Sequence, residues 1–170
     1  MTALSIRSVL SSQDEREPVV TGTIYKLPYR LHLPLYISEA LAKPKIRVAI
    51  AEDHAEMRVV LRLLLSMSPE VEVVCESNNG QEAIDCVERL QPDVLVMDIY
   101  MPVLDGLSAT KRVISSGAAT RVLLISLHTG NFMAAQAAAA GAYGLVSKDA
   151  VAGSLLQAIE AIHRGQTFFS

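Results

Sequence analysis

Five polar residues are set apart by where they fall. Glu52 and Asp53 end the apolar run Ile46–Ala51, Asp98 ends 93–97, Ser126 ends 121–125, and Lys148 follows 143–147. Three carboxylates, a hydroxyl and an ammonium make a set with a definite chemistry. Carboxylates crowded together repel one another unless a cation lies among them. Mg2+ suits that position, because it is hard, takes oxygen ligands, keeps several waters, and typically uses one or two carboxylates together with phosphate oxygens. The electrostatics assign Asp53 and Asp98 as direct ligands and Glu52 as a ligand through water. In the neutralised cluster Asp98 can attack a phosphoryl group as a carboxylate nucleophile. Lys148 can then pair with one phosphoryl oxygen and Ser126 can hydrogen-bond another. Taken singly, each residue has an ordinary use: Asp53 as a helix cap, Asp98 in a turn, Ser126 as a loop hydroxyl, Lys148 as a solvated charge. Their joint meaning depends on a fold that brings them to one place.

The intervening pattern supplies such a fold. Met57, Val60, Leu61, Leu64 and Leu65 recur at helical spacing, and Val71–Cys75 reads as a strand. Gly80–Leu90 reads as a helix with Ala83, Ile84, Val87 and Leu90 on one face. Further helices are expected over 107–116, 131–140 and 151–164, stopped by Gly117, Gly141 and Gly165. Strand and helix alternate five times. The strands are almost continuously apolar, the mark of burial on both faces of a parallel sheet. Right-handed crossovers then favour an α/β, doubly wound, flavodoxin-like (βα)5 sheet of order 2-1-3-4-5. In that order strands one and three are neighbours at the carboxyl edge where the order reverses, the usual ligand position. Glu52, Asp53, Asp98, Ser126 and Lys148 would meet there.

Composition limits the alternatives. The chain has 170 residues, 51% apolar and 19% charged, without Trp, enough for one globular domain. Residues 46–170 carry nine Lys and Arg against fourteen Asp and Glu, a net of −5, whereas residues 1–45 carry six against four, a net of +2. An acidic body argues against duplex DNA, which is bound by displacing counterions with cations. No apolar run reaches the ~18 residues of a membrane span, and the N-terminus lacks a secretory pattern, so a cytoplasmic location is expected. Cys75 and Cys86 are expected to be buried free thiols. Four of the seven prolines (Pro18, Pro28, Pro34, Pro44) fall within residues 1–45. That segment is expected to be an irregular extension, disordered or loosely packed, ahead of a domain over 46–170. Its tyrosines 25, 29 and 36 offer the alternative of a docking segment.

With these residues assembled, residues 46–168 resemble a bacterial response-regulator receiver domain. The resemblance rests on Val48-Ala-Ile-Ala-Glu-Asp-His54, Pro92-Asp-Val-Leu-Val-Met-Asp98, Met101-Pro-Val-Leu-Asp-Gly106, Val122-Leu-Leu-Ile-Ser126 and Gly141-Ala-Tyr-Gly-Leu-Val-Ser-Lys148. Asp53-His54 and Lys148-Asp149-Ala150 look most like the NarL/FixJ-type subfamily. The resemblance implies a Mg2+-dependent phosphoacceptor, Asp98, charged by a histidine kinase or phosphotransfer protein. It implies metal contacts from Asp53, Asp98, the Tyr100 backbone carbonyl and, through water, Glu52, with Ser126 and Lys148 as switch residues. It makes Tyr100 and His128 tuning positions at the cleft. Asp105 is read as a turn residue or helix cap, and Gly106 as a position needing positive φ.

The chain departs from the pattern in three ways. Leu145 stands where receivers usually carry an aromatic switch residue; Tyr143, two positions earlier and so on the same strand face, is the candidate substitute. The sequence stops at Phe168-Phe169-Ser170, about where a linker to a DNA-binding domain would begin, so DNA binding by this chain is not expected. Residues 1–45 have no counterpart. The reading is therefore a phosphorylation switch rather than an enzyme, with a partner or a second copy expected on the face of helix four, strand five and helix five. The alternatives are a phosphorylation-independent pseudo-receiver, or, ranked below it, an aspartyl phosphohydrolase of the haloacid-dehalogenase type. The latter needs an acid where Tyr100 stands.

Overall fold

The structure, a computed structural model, describes residues 44–170; the extension expected over residues 1–45 lies, but for its last two residues, outside the described part. The elements follow in order: β1 Ile46–Ala51, α1 Ala55–Ser66, β2 Val71–Ser77, α2 Gly80–Leu90, β3 Val94–Asp98, α3 Gly106–Ser115, β4 Arg121–Ser126, α4 Asn131–Ala139, β5 Gly144–Ser147, α5 Val151–His163 and β6 Phe168–Phe169. The sheet order is β2-β1-β3-β4-β5-β6, every pair parallel. This is the expected flavodoxin-like sheet with a sixth strand added. Gly165, at φ 81°, turns the chain after α5, and Phe168 and Phe169 then pair with Gly144 and Leu145. Two residues are too short a run to carry a period, which is why the strand was not legible.

Alternation along the strands feeds two apolar layers. Ala49, Ala51, Leu95, Met97, Leu124 and Leu145 face α2, α3 and α4, which contribute Ala83, Val87, Ala109, Val113 and Ala137. Val48, Ile50, Val94, Val96, Leu123, Ile125 and Val146 face α1 and α5, which contribute Leu61, Leu65, Leu155, Ile159 and Ile162. Burial on both faces locks strand register, since a one-residue slip would exchange the two sets. The strand ends are thereby held in place.

Two helices carry explicit start signals. Asn79 accepts from the Glu82 amide at 3.0 Å, and Glu82 returns to the Asn78 amide at 2.9 Å. Asp105 caps α3 through the Ser108 amide at 2.8 Å, as expected. Gly106, in contrast, is not among the positive-φ residues. Glycine is required there for a different reason: a Cβ would collide with the carbonyl oxygen of Asp98. The left-handed residue of this loop is Val103, at φ 68°, spanned by a hydrogen bond from the Leu104 amide to the Pro102 carbonyl at 2.7 Å. That three-residue ring is the positive-φ γ-turn, a strained form. Cys75 on β2 and Cys86 on α2 are joined as a disulfide, their Cα atoms 6.6 Å apart, which corrects the expectation of free thiols. The two elements pack side by side, a proximity that linear spacing does not reveal.

The strain at Val103 is testable because the side chain, 83% exposed, has no packing to lose. Val103→Gly, which has no Cβ to oppose positive φ, is expected to raise the urea-unfolding free energy by about 0.5–1 kcal/mol, the strain relieved exceeding the entropy added to the unfolded chain. No change or a loss would contradict the strained turn.

Candidate functional site

The carboxyl ends of β1, β3, β4 and β5 meet at one edge, as their parallel pairing requires. Glu52 leaves β1 fully buried, and its amide donates to the Ser77 carbonyl at 3.1 Å. Asp98, the last residue of β3, is buried beside it. Lys148 follows β5, and its amide donates to the Ser126 carbonyl at 2.8 Å. Its ammonium reaches both acids, 2.7 Å from Glu52 Oε2 and 2.8 Å from Asp98 Oδ2. This ammonium is the close partner of Glu52 Oε2. Burial alone would lower the Lys148 pKa. Hydrogen bonding and charge from Asp98 and Glu52 outweigh it, and the net shift is upward.

Asp53 and His54 complete the cluster. One ligand atom from each of Glu52, Asp53, His54 and Asp98 lies within 4.8 Å of all the others. His54 Nδ1 lies 2.9 Å from Asp53 Oδ1 and 3.3 Å from Glu52 Oε1. The adjacent Asp53 charge, and then hydrogen bonds to both acids, raise the His54 pKa. His54 was read from sequence only as part of a motif; its place directly after two acids was the available signal. Arg58, from α1, donates to the Glu52 carbonyl at 2.6 Å and fixes the turn that presents these groups. With one ammonium against three carboxylates, the cluster retains affinity for a cation. Hard oxygen donors, with three carboxylates sharing a single ammonium, suit Mg2+.

The other expected residues divide. Ser126 ends β4 fully buried, and its oxygen accepts from the His128 amide at 3.1 Å. Tyr100 and His128 line a cavity of about 310 Å3 together with His54, Asp98, Leu127 and Lys148. Leu145 is buried inside β5, on the α2–α4 side of the sheet. Tyr143 is not its neighbour on that face. It precedes β5 and packs on the α1/α5 side, with the Arg121 guanidinium 5.6 Å from its ring centre. Its amide donates to the Val122 carbonyl, toward the amino end of the sheet and away from the cleft. Alternation holds only within the strand, and Tyr143 lies before it. Tyr143 therefore does not stand in for the missing aromatic. A larger cavity, about 740 Å3, opens at that amino end between Gln91–Asp93 and Ser116–Arg121, away from the carboxylate cluster. Among the described residues no helix is long and apolar enough to cross a membrane.

Comparison with known proteins converges on this edge. Residues 48–160 match the family described as the response regulator receiver domain. The chain is similar to the transcriptional regulatory protein DegU of Brevibacillus brevis, 32% identical over 132 residues, which are 78% of this chain and 56% of that protein. It is also similar to a protein-glutamate methylesterase/protein-glutamine glutaminase of Syntrophomonas wolfei, 39% identical over 106 residues, 62% of this chain and 30% of that one. Among solved structures, the signal receiver domain of a response regulator, NarL, from Mycobacterium tuberculosis superposes with a TM-score of 0.71 at 34% identity, covering 73% of this chain and all of that one. The chain thus spans about half, or less, of the curated relatives named here, and those two relatives carry different activities in their names.

The Lys148 clamp makes a prediction about stability in EDTA. Lys148→Met strands two buried carboxylates and is expected to cost about 3–5 kcal/mol at neutral pH. Because the Lys148 pKa is raised in the folded protein above its ordinary 10.5, its stabilisation is complete below that value and fades as pH rises through the folded pKa. The wild type, unlike Lys148→Met, is expected to lose this increment under strongly alkaline conditions. Equal pH–stability curves for the two proteins would contradict the clamp.

Proposed function

Because the chain belongs to the response-regulator receiver family, we propose that residues 46–170 form a signalling module that takes a phosphoryl group onto Asp98 and passes on a change of shape. The observation that carries this reading is Asp98 set at the end of β3 within a cluster of three carboxylates, its Oδ2 held 2.8 Å from the Lys148 ammonium. The donor is a histidine kinase or phosphotransfer protein, and the location is the cytoplasm. A carboxylate oxygen of Asp98 forms the new bond to phosphorus as the phosphorus–nitrogen bond of a phosphohistidine breaks, leaving an acyl phosphate and a free imidazole. Mg2+, when bound by Asp53, Asp98, the Tyr100 carbonyl and, through water, Glu52, offsets the negative charge of the carboxylates and the phosphoryl oxygens.

This chain's own groups do the rest. The bonded Asp98 oxygen loses its share of the carboxylate charge, so the Lys148 ammonium finds a stronger partner in a phosphoryl oxygen. Ser126 accepts from the His128 amide and keeps its O–H free to donate. If that hydroxyl turns to the phosphoryl group, it draws His128 and the loop into α4 with it. Leu145 cannot supply the ring rotation of an aromatic switch, so the loop and α4 carry the change. It is read on the α4–β5–α5 face by a partner or a second copy. Tyr100 and His128 at the cavity rim set access of water to the acyl phosphate.

A second reading, an interaction module that works without phosphorylation, is favoured by Leu145. Incubation with acetyl phosphate and Mg2+ separates the two. Addition of one phosphoryl group is expected by intact-protein mass spectrometry, absent in Asp98→Ala and absent in EDTA; no addition to the wild type would leave the second reading standing. Turnover of many phosphate esters would instead indicate a hydrolase. Lys148→Ala is expected to retain Mg2+ binding within about threefold, by fluorescence or calorimetric titration, yet to lose the phosphorylation-dependent change in amide hydrogen exchange over α4. Normal exchange changes in that variant would remove the lysine from the switch.

A further inference from the structure

Cys75 faces Cys86 because of an irregularity in β2. Val48 of β1 pairs with Val73, yet the next residue, Ala49, pairs with Cys75, so Val74 is an extra residue bulged out of the ladder. In an unbroken strand residues 73 and 75 would share a face. Across the bulge they do not. Val73 packs with the layer of α1 and α5, and Cys75 with the layer that holds Cys86. A β-bulge that re-aims a side chain is a built feature of a strand. Here it brings one sulfur to the other, and the chain has no third cysteine.

The pair, 11 positions apart, closes around the β2–α2 connection, and that connection braces the acid edge on two sides. The Ser77 carbonyl accepts from the Glu52 amide at 3.1 Å, and the Ser77 hydroxyl lies 4.0 Å from Cys75 Sγ. The Gly80 amide donates at 3.0 Å to the carbonyl of Leu104, in the loop that follows Asp98. Gly80 sits so close to that loop that a Cβ would collide with the same carbonyl.

We propose that Cys75 and Cys86 form a redox-active dithiol, a modification site for a peroxide, whose closure stiffens the β2–α2 connection behind Glu52. In the reducing cytoplasm, the location proposed above, disulfides are usually transient and redox-sensing, so the pair rests as thiols and is closed by oxidation. Cys75 is half-buried whereas Cys86 is 1% exposed, and Cys75 is therefore the thiol that a peroxide reaches. Its thiolate attacks a peroxide oxygen, the oxygen–oxygen bond breaks, hydroxide leaves, and Cys75 becomes a sulfenic acid. The Cys86 sulfur then bonds to the Cys75 sulfur as the sulfur–oxygen bond breaks, and the hydroxyl departs as water with the Cys86 proton. The two thiols give up two electrons and two protons, and hydrogen peroxide becomes two waters. A dithiol reductant reverses the closure by exchange. Tying β2 to α2 leaves the connection fewer open arrangements, so the openings that break the Glu52 and Gly80 amide bonds become rarer. None of this depends on phosphoryl transfer to Asp98.

The test uses the full chain in EDTA, reduced with dithiothreitol and freed of it, before and after a small excess of hydrogen peroxide. Alkylation with iodoacetamide after denaturation is expected to count two thiols before peroxide and none after it, with no cross-link between chains, and dithiothreitol added to the native protein is expected to restore both. Amide hydrogen exchange at Glu52 and Gly80 is expected to slow at least tenfold on closure, while the locally opening amides of α4 keep their rates. Cys86→Ala is expected to stop at a sulfenic acid on Cys75, trapped by dimedone, without the slowing. Two free thiols after peroxide, a pair that dithiothreitol cannot open in the native chain, a cross-link between chains, no dimedone adduct in Cys86→Ala, or closure that leaves Glu52 and Gly80 unchanged or slows α4 equally would each overturn the proposal.

Discussion

One ammonium group organises the functional edge. Lys148 brings positive charge to a point where β1 and β3 both end in buried acids, and it holds Glu52 and Asp98 at nearly equal distances. Ions buried this way are expensive to desolvate, and their mutual attraction recovers the cost only when the geometry is good. The geometry comes from the sheet. Parallel pairing carries β1, β3, β4 and β5 to the same edge, and the Lys148 amide is tied to Ser126 across β4 and β5. The clamp is also incomplete: three carboxylates outnumber the lysine. An edge left short of positive charge is matched to a divalent cation and, once that charge is supplied, to a phosphoryl group.

The two sides of this edge differ in how firmly they are held. On the acceptor side, Gly106 fits against the Asp98 carbonyl, Asp105 caps α3, and Ala109, Thr110 and Val113 are buried. The loop after Asp98 is accordingly fixed, even at the cost of a strained turn at Val103. On the other side, α4 has no side-chain cap and buries only Ala137. Stability is not uniform across a fold, and the element with the fewest buried apolar anchors is the cheapest to move. If Asp98 takes a phosphoryl group as proposed, the change of charge meets less resistance toward α4 than toward α3.

Much of this was legible in the sequence for a physical reason: a strand buried on both faces must be continuously apolar, and a chain leaving such a strand must turn polar. That rule located five strands and the polar residues at the ends of four of them, and the Asp105 cap was readable from its position before a helix. Where local pattern is not the deciding force, the reading failed. Alternation placed Tyr143 with Leu145, but alternation ends where the strand ends. The need for glycine at 106 was assigned to backbone angle, whereas a tertiary contact with Asp98 dictates it. The pairing of Cys75 with Cys86 and the short β6 depend on neighbours brought close by the fold.

The similar proteins combine this domain with different activities, so the carboxylate edge by itself does not determine what the protein controls. Specificity must then reside on the faces the chemistry does not use, and the sheet separates them. α4 packs on the side of Leu145, whereas α1 and α5 pack on the side of Val146. If Asp98 is the phosphoacceptor, a partner reading α4 meets the less anchored side of that edge, and a partner reading α1 lies across the sheet from it. Both faces are built on the same strands that position Asp98 and Lys148, so neither surface need be sacrificed to the other. An alanine-rich helix with one buried anchor suits movement, whereas a helix held down by Leu61 and Leu65 offers a fixed surface. The distribution of buried apolar residues between the two helices thus sets a loosely held face against a firmly held one on a single small sheet.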